Sequence, residues 1–111
     1  MTQVLAVVTY RLPEGTDRQT AVQMFRDSIP RYMATEGLLR KNVLYQEGLG
    51  GGAYLWESRE AAEKAYSPEW TAYMTDKYNH PPQITFYEMP ITMDRQYNVV
   101  YDEQDIAEAA E

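Results

Sequence analysis

Cysteine is absent from the sequence, which excludes disulfides, thiolate metal sites and cysteine nucleophiles. The absence fits a reducing compartment, and a cytoplasmic protein is expected. Histidine occurs once, as His80, and no spacing of carboxylates around it supplies the further ligands a metal would need. Long hydrophobic runs are also missing, so no stretch approaches the length that spans a bilayer. The apolar run that opens at Val4 has no basic region before it and closes at Tyr10-Arg11, so no secretory signal is expected. Basic residues are few. Ten of them face seventeen acidic ones, and the net charge of −7 disfavours a phosphate backbone as partner. Gly50-Gly51-Gly52 lacks the Gly-x-x-x-x-Gly-Lys pattern and precedes no helix N-terminus, so it is not a phosphate loop. Neither internal repeats nor low-complexity segments occur.

What remains suits one domain spanning 1–111. Hydrophobic residues make up 44% of the chain and ten tyrosines are spread along it, enough apolar surface for a core. Residues 4–12 are β-branched and aromatic on both parities and read as a strand. Pro13-Glu14-Gly15 is a turn, after which Thr16 is the expected cap of a helix. That helix carries Val22, Phe25, Ile29 and Met33 on one face, with a kink or an end near Ile29 before Pro30. Gly37 closes the segment. A second strand is expected over 38–46, a flexible hairpin over 48–52, and a short third strand over 53–57. Ser58 then caps a helix, and Ser67-Pro68 starts another whose face continues through Trp70, Tyr73, Met74 and Tyr78 to a stop at Pro81-Pro82. Residues 84–93 form the fourth strand. The order is β-α-β-β-α-β, the split pattern of an α+β, ferredoxin-like fold with an antiparallel sheet.

Helices cover only one face of such a sheet, and the other is ordinarily polar at alternate positions. Here both parities are apolar or aromatic: Leu5 and Val7 against Val4, Ala6 and Val8, Leu55 against Tyr54 and Trp56, Tyr87 against Phe86. A second copy of the chain is the expected cover, through an isologous interface. The tail 94–111, with a short strand at 98–101 and a weak acidic helix beyond it, is expected to wrap that partner.

The run Gly51-Gly52-Ala53-Tyr54-Leu55-Trp56-Glu57-Ser58-Arg59-Glu60-Ala61-Ala62, followed by Ser67-Pro68-Glu69-Trp70, resembles the dimeric α+β-barrel superfamily. Within it the run looks closest to the YdhR-like relatives of the antibiotic-biosynthesis monooxygenases, and the likeness extends from the first strand through Met93. The resemblance implies a homodimer with a pocket in each subunit. It also implies oxidation of flat, electron-rich aromatics such as anthrones by molecular oxygen without metal or flavin, so no cofactor is expected. Other branches degrade haem. Their axial histidine stands about ten residues after the strand tryptophan, where this chain has Ala65 and Tyr66, which counts against haem.

The resemblance makes Trp56 the wall of the pocket, a flat apolar surface with one indole donor; core or interface packing is the competing role. Tyr54 and Tyr87, with Tyr10 and Tyr73 behind them, are the candidate hydroxyl donors to a developing enolate. His80 is a candidate general base, although its place before Pro81-Pro82 favours an interaction with the last helical carbonyls. Arg40 and Lys41 are expected to be solvated strand charges, with a place at the pocket rim, holding an anionic substrate or intermediate, as the competing role. The leading reading is a cofactor-independent monooxygenase for a small, flat, hydrophobic aromatic. A non-catalytic homodimer that binds a small hydrophobe is the alternative, and haem breakdown a weaker one.

Overall fold

The computed structural model describes residues 2–104. Alternation along β1 (Val4–Arg11) sets the architecture: Val4, Ala6, Val8 and Tyr10 are buried, while the residues between them are only partly covered. The buried set points toward the helices. β1 is flanked by β3 (Leu49–Trp56) and β4 (Gln83–Glu88), and β2 (Leu38–Gln46) lies outside β3, giving an antiparallel sheet of order β2-β3-β1-β4. With helices between the first and second strands and again between the third and fourth, the fold is α+β and ferredoxin-like, as expected.

The first helical segment breaks in two. α1 (Arg18–Asp27) ends before Pro30 and α2 (Ile29–Met33) restarts with the proline in its first turn, where a missing amide costs least. The break rotates the expected face. Ala21 and Phe25 are buried, whereas Ile29 lies exposed on α2 and Met33 is 82% exposed. The cap is also one residue later than expected: Asp17 accepts from the Thr20 amide at 2.8 Å, and the Thr16 hydroxyl instead donates to the Pro13 carbonyl at 2.6 Å. α3 (Arg59–Ala65) and α4 (Pro68–Tyr78) start as expected, with Ser58 accepting from the Ala61 amide and Ser67 from the Trp70 amide, each at 3.1 Å. α4 buries Trp70, Met74 and Tyr78 and ends at Asn79, in the left-handed region at φ 66°.

Two strand expectations are corrected. The hairpin connection is only Glu47-Gly48, and residues 50–52 are strand, with all three glycines buried. A side chain at Gly50 would stand 2.7 Å from the Tyr10 ring, and one at Gly51 would overlap the Val8 carbonyl. These glycines serve close packing between strands and not flexibility. The expected fourth strand over 84–93 is cut at Pro90, which cannot donate to a ladder. Beyond the cut, β5 (Ile91–Asp94) and β6 (Val99–Asp102) form a separate two-stranded hairpin. Its Ile91, Met93, Tyr97, Val100 and Tyr101 are exposed. The expected acidic helix of the tail falls, beyond Gln104, outside the described residues.

Strand pairing puts Leu5, Val7, Ala53, Leu55, Leu44 and Tyr87 on the face of the sheet away from the helices. None of these is fully buried, and Tyr87 is 52% exposed. Among the described residues no helix is long and apolar enough to cross a membrane.

Candidate functional site

The site lies between the helix-facing side of the sheet and helices α1, α2 and α4. Its floor follows from strand parity. Tyr54 stands opposite Ala6, and Tyr10 opposite Gly50, so both rings rise on the buried face. On β2 the parity is reset by a bulge: Leu38 pairs with Trp56, Leu39 is the extra residue, and Lys41 pairs with Tyr54. A bulge shifts every later side chain to the opposite face. Leu38 and Lys41, three residues apart, therefore both point to the helices, and Arg40 points away. Gly52 makes the space for this. A Cβ there would stand 2.8 Å from the Tyr54 ring and 2.9 Å from Lys41 Cε.

Lys41 is thus not the solvated charge the sequence suggested. Its Nζ lies 3.5 Å from the centre of the Tyr32 ring and 4.5 Å from that of Tyr54. Burial, reinforced by the nearby Lys77 ammonium, lowers its pKa from 10.5 to about 7. The electron-rich ring faces favour the ammonium and oppose this trend.

The cleft around Lys41 is aromatic and cationic. Tyr10, Tyr32, Tyr54, Tyr73 and Tyr78 line it together with Phe25 and Met74. Arg31 and Lys77 are its other charges, and no carboxylate is among its lining residues. In a chain of net charge −7, that is a local reversal of sign. Tyr10 stacks on Tyr78 with ring centres 4.1 Å apart, and the Arg31 guanidinium lies 4.1 Å from the centre of the Tyr73 ring. Burial, aided by neighbouring phenols, pushes the hydroxyls of Tyr10 and Tyr54 well above the ordinary tyrosine range. Both remain protonated, suited to donate hydrogen bonds and not to take protons. Free space in the cleft is about 10 Å³, room for roughly one water molecule.

A second hollow of about 160 Å³ adjoins it, and Arg31 and Tyr32 line both. Its walls include Trp56, Tyr66 and Trp70, and the exposed Glu69 stands at its edge. Trp56 is fully buried, and its indole N–H donates to the Tyr66 hydroxyl at 3.1 Å. The Trp70 indole N–H likewise donates to the Tyr32 hydroxyl at 3.0 Å. Burial lifts the Tyr66 phenol above its ordinary value despite the bond from Trp56. Tyr32 is therefore the partition between the two spaces. It stands on α2, a five-residue helix that buries none of its residues.

No protein-family model and no curated protein matches the sequence. Solved structures do match the fold. SnoaB, a cofactor-independent oxygenase from Streptomyces nogalater, superposes with a TM-score of 0.64 at 12% identity, covering 86% of this chain and 100% of its own. The ActVA-Orf6 monooxygenase of Streptomyces coelicolor, solved with the ligand nanaomycin D, gives 0.58 at 15% identity, covering 79% and 88%. NE2512, a protein of unknown function from Nitrosomonas europaea, gives 0.63 at 16% identity, covering 80% and 90%. What these chains share with this one is the α+β, ferredoxin-like fold. A chain from Bordetella bronchiseptica described as an antibiotic biosynthesis monooxygenase shares it as well, with a TM-score of 0.60 at 14% identity, covering 80% of this chain and 98% of its own.

Within this fold the four candidate residues do not converge. Tyr54 is in the cleft, and Trp56 is in the adjoining hollow. Tyr87 pairs with Leu5 on the opposite face of the sheet, too far round to reach either space. His80 is exposed beyond the end of α4. Among the described residues its imidazole makes no hydrogen bond, and the left-handed Asn79 closes the helix. Tyr10 and Tyr73, read as secondary candidates, do line the cleft. Sequence reasoning missed Tyr32, Arg31 and Lys77, and it assigned Lys41 to solvent. Arg31 and Tyr32 follow Pro30 directly, so the proline restart of a short helix was the one available signal for them. Among the described residues, no group of three or more His, Asp or Glu side chains is placed to hold a metal ion.

Proposed function

We propose that the protein is a cofactor-independent monooxygenase acting on a small, flat, anthrone-like aromatic. The observation that carries this reading is the cleft: stacked phenol faces, three basic side chains and no carboxylate among its lining residues, on the helix side of a sheet shared with SnoaB and ActVA-Orf6. Such walls suit a planar ring system and the anion made from it. Nanaomycin D in ActVA-Orf6 supports a small-molecule ligand in this fold.

The reaction needs only substrate and oxygen. Loss of a proton from the anthrone methylene leaves its electron pair on the ring system as an enolate. The enolate passes one electron to O2, the resulting radical pair combines at the same carbon, and the peroxide takes back a proton. Loss of water then leaves a carbonyl, so one oxygen atom enters the product and the other leaves as water. The protein contributes orientation, desolvation and hydrogen bonds to the enolate oxygen. Tyr54 is the donor on the floor of the cleft. Trp56 acts from the adjoining hollow, which joins the cleft when Tyr32 swings aside to admit the ring system.

The active unit in this reading is a cytoplasmic homodimer. A second copy covers Leu5, Val7, Ala53, Leu55 and Tyr87, and the tail wraps the partner. Tyr87 is then an interface residue and not a donor.

Oxygen uptake by the metal-free protein with a panel of anthrones and hydroquinones tests the proposal beside a Trp56→Phe variant. Uptake well above the uncatalysed rate, reduced in the variant, is the expected result. The aromatic hollow walled by Trp56, Tyr66 and Trp70 favours one second reading, a dimer that holds a hydrophobe without reacting. Saturable quenching of tryptophan fluorescence with no oxygen uptake across the panel would replace the oxygenase with that binding protein.

A further inference from the structure

We propose that Lys41 Nζ is the group that takes the substrate proton, with Arg31 and Lys77 holding the anion that forms. The inference rests on the oxygenase reading and assigns its missing base. The position is built by three independent features: the bulge at Leu39 that turns the side chain inward, the space left by Gly52, and the Tyr32 and Tyr54 faces that hold the amine.

Elimination points the same way. His80 lies outside the cleft and no carboxylate lines it; Glu69, at the adjoining hollow, is exposed to solvent. The groups facing Lys41 are the phenols of Tyr10 and Tyr54 from the sheet, Tyr32 from α2, Tyr73 and Tyr78 from α4, and the cations Arg31 and Lys77. Tyr10 and Tyr54 hold their protons well past neutrality, and an arginine does not release its own. Burial leaves the amine half neutral near pH 7, the range in which a base is most effective. The step balances: the lone pair on Nζ binds the proton, the C–H or O–H electron pair stays on the substrate, and the new ammonium lies beside the new anion. The same proton then returns to the peroxide formed with O2.

A hydroxyanthraquinone whose hydroxyls flank the ring carbonyl tests the transfer without turnover, because it is already oxidised and its phenolate absorbs at longer wavelength. The wild-type protein at pH 7.5 is expected to bind it as the phenolate. Lys41→Met is expected to bind it, by tryptophan quenching, as the neutral phenol. With anthrone substrates, oxygen uptake should rise with pH, tenfold per unit below about 7, and then level off. Lys41→Arg keeps the charge but cannot accept a proton, so uptake should fall by about 10² to 10⁴. Retained uptake in Lys41→Arg, or a phenolate in Lys41→Met, would overturn the assignment and leave the oxygenase standing. A Lys41-dependent phenolate with no oxygen uptake from any anthrone would sink the oxygenase and keep the proton acceptor.

Discussion

Replacing Lys41 with methionine should make the protein more stable in acid, and the size of the effect follows from the burial of the amine. Lys41 titrates at about 7 in the folded chain against 10.5 when exposed. Between those values the unfolded chain binds more protons than the folded one, so the stability of the wild type rises with pH across that window. Below about pH 7 both states are protonated and the penalty for a buried ammonium is fully present. At about 1.4 kcal/mol per unit the whole shift sets an upper bound of about 5 kcal/mol. Partial access to solvent reduces this to about 2–3 kcal/mol. Methionine fills much the same volume with no charge, so its stability lacks this term at every pH. Urea unfolding of both proteins at pH 6 and pH 10, at one fixed protomer concentration, reads the effect directly. The variant should gain about 2–3 kcal/mol over the wild type at pH 6, and most of that advantage should vanish by pH 10. Other groups titrate in both proteins and cancel in the difference. A difference that stays constant to within about 0.5 kcal/mol would mean that the amine is hydrated, and the proposed base would lose its physical ground.

Two further outcomes bear on the framework around the site. Gly51→Ala drives a methyl into the Val8 carbonyl between two central strands, and should cost about 3 kcal/mol, read as a lowered urea midpoint with an unchanged slope. Tyr87→Asp puts a charge on the uncovered face of the sheet beside Leu5, and should halve the mass measured by sedimentation while the far-ultraviolet circular dichroism is kept. A monomeric wild type would remove the partner that this face is read to need.

The parts of the fold that sequence patterning reached are those governed by local chemistry. Ser58 and Ser67-Pro68 announce their helices because a hydroxyl before an amide row, and a proline in the first turn, act within four residues. The second strand has the expected bounds, 38–46, and the opposition of Tyr54 and Trp56 to Leu55 holds because side chains alternate strictly along an unbroken strand. What was missed depends on a neighbour. Gly50-Gly51-Gly52 reads as a loop by composition, yet it is strand because the Tyr10 ring and the Val8 backbone fill the room of the absent side chains. Lys41 was lost to the bulge at Leu39, which no pattern along the strand announces. Counting by twos from Leu38 sends it to the wrong face. Residue type alone groups Tyr87 with Tyr54, and the sheet separates the two, while His80 lies past the end of α4 and out of the cleft.

Both tryptophans of this chain, Trp56 and Trp70, are buried, and each donates its indole N–H to a phenol in a single aromatic cluster around Tyr66. The molecule thus keeps all of its strongest fluorophores in the wall of one hollow and none elsewhere. Its emission should be blue, fed by excitation passed on from the surrounding tyrosines, and unresponsive to quenchers that stay in water. A compound that does not absorb this emission and still dims it has displaced Tyr32 or entered beside it, so the protein carries its own optical gauge of occupancy next to the place where the chemistry is proposed.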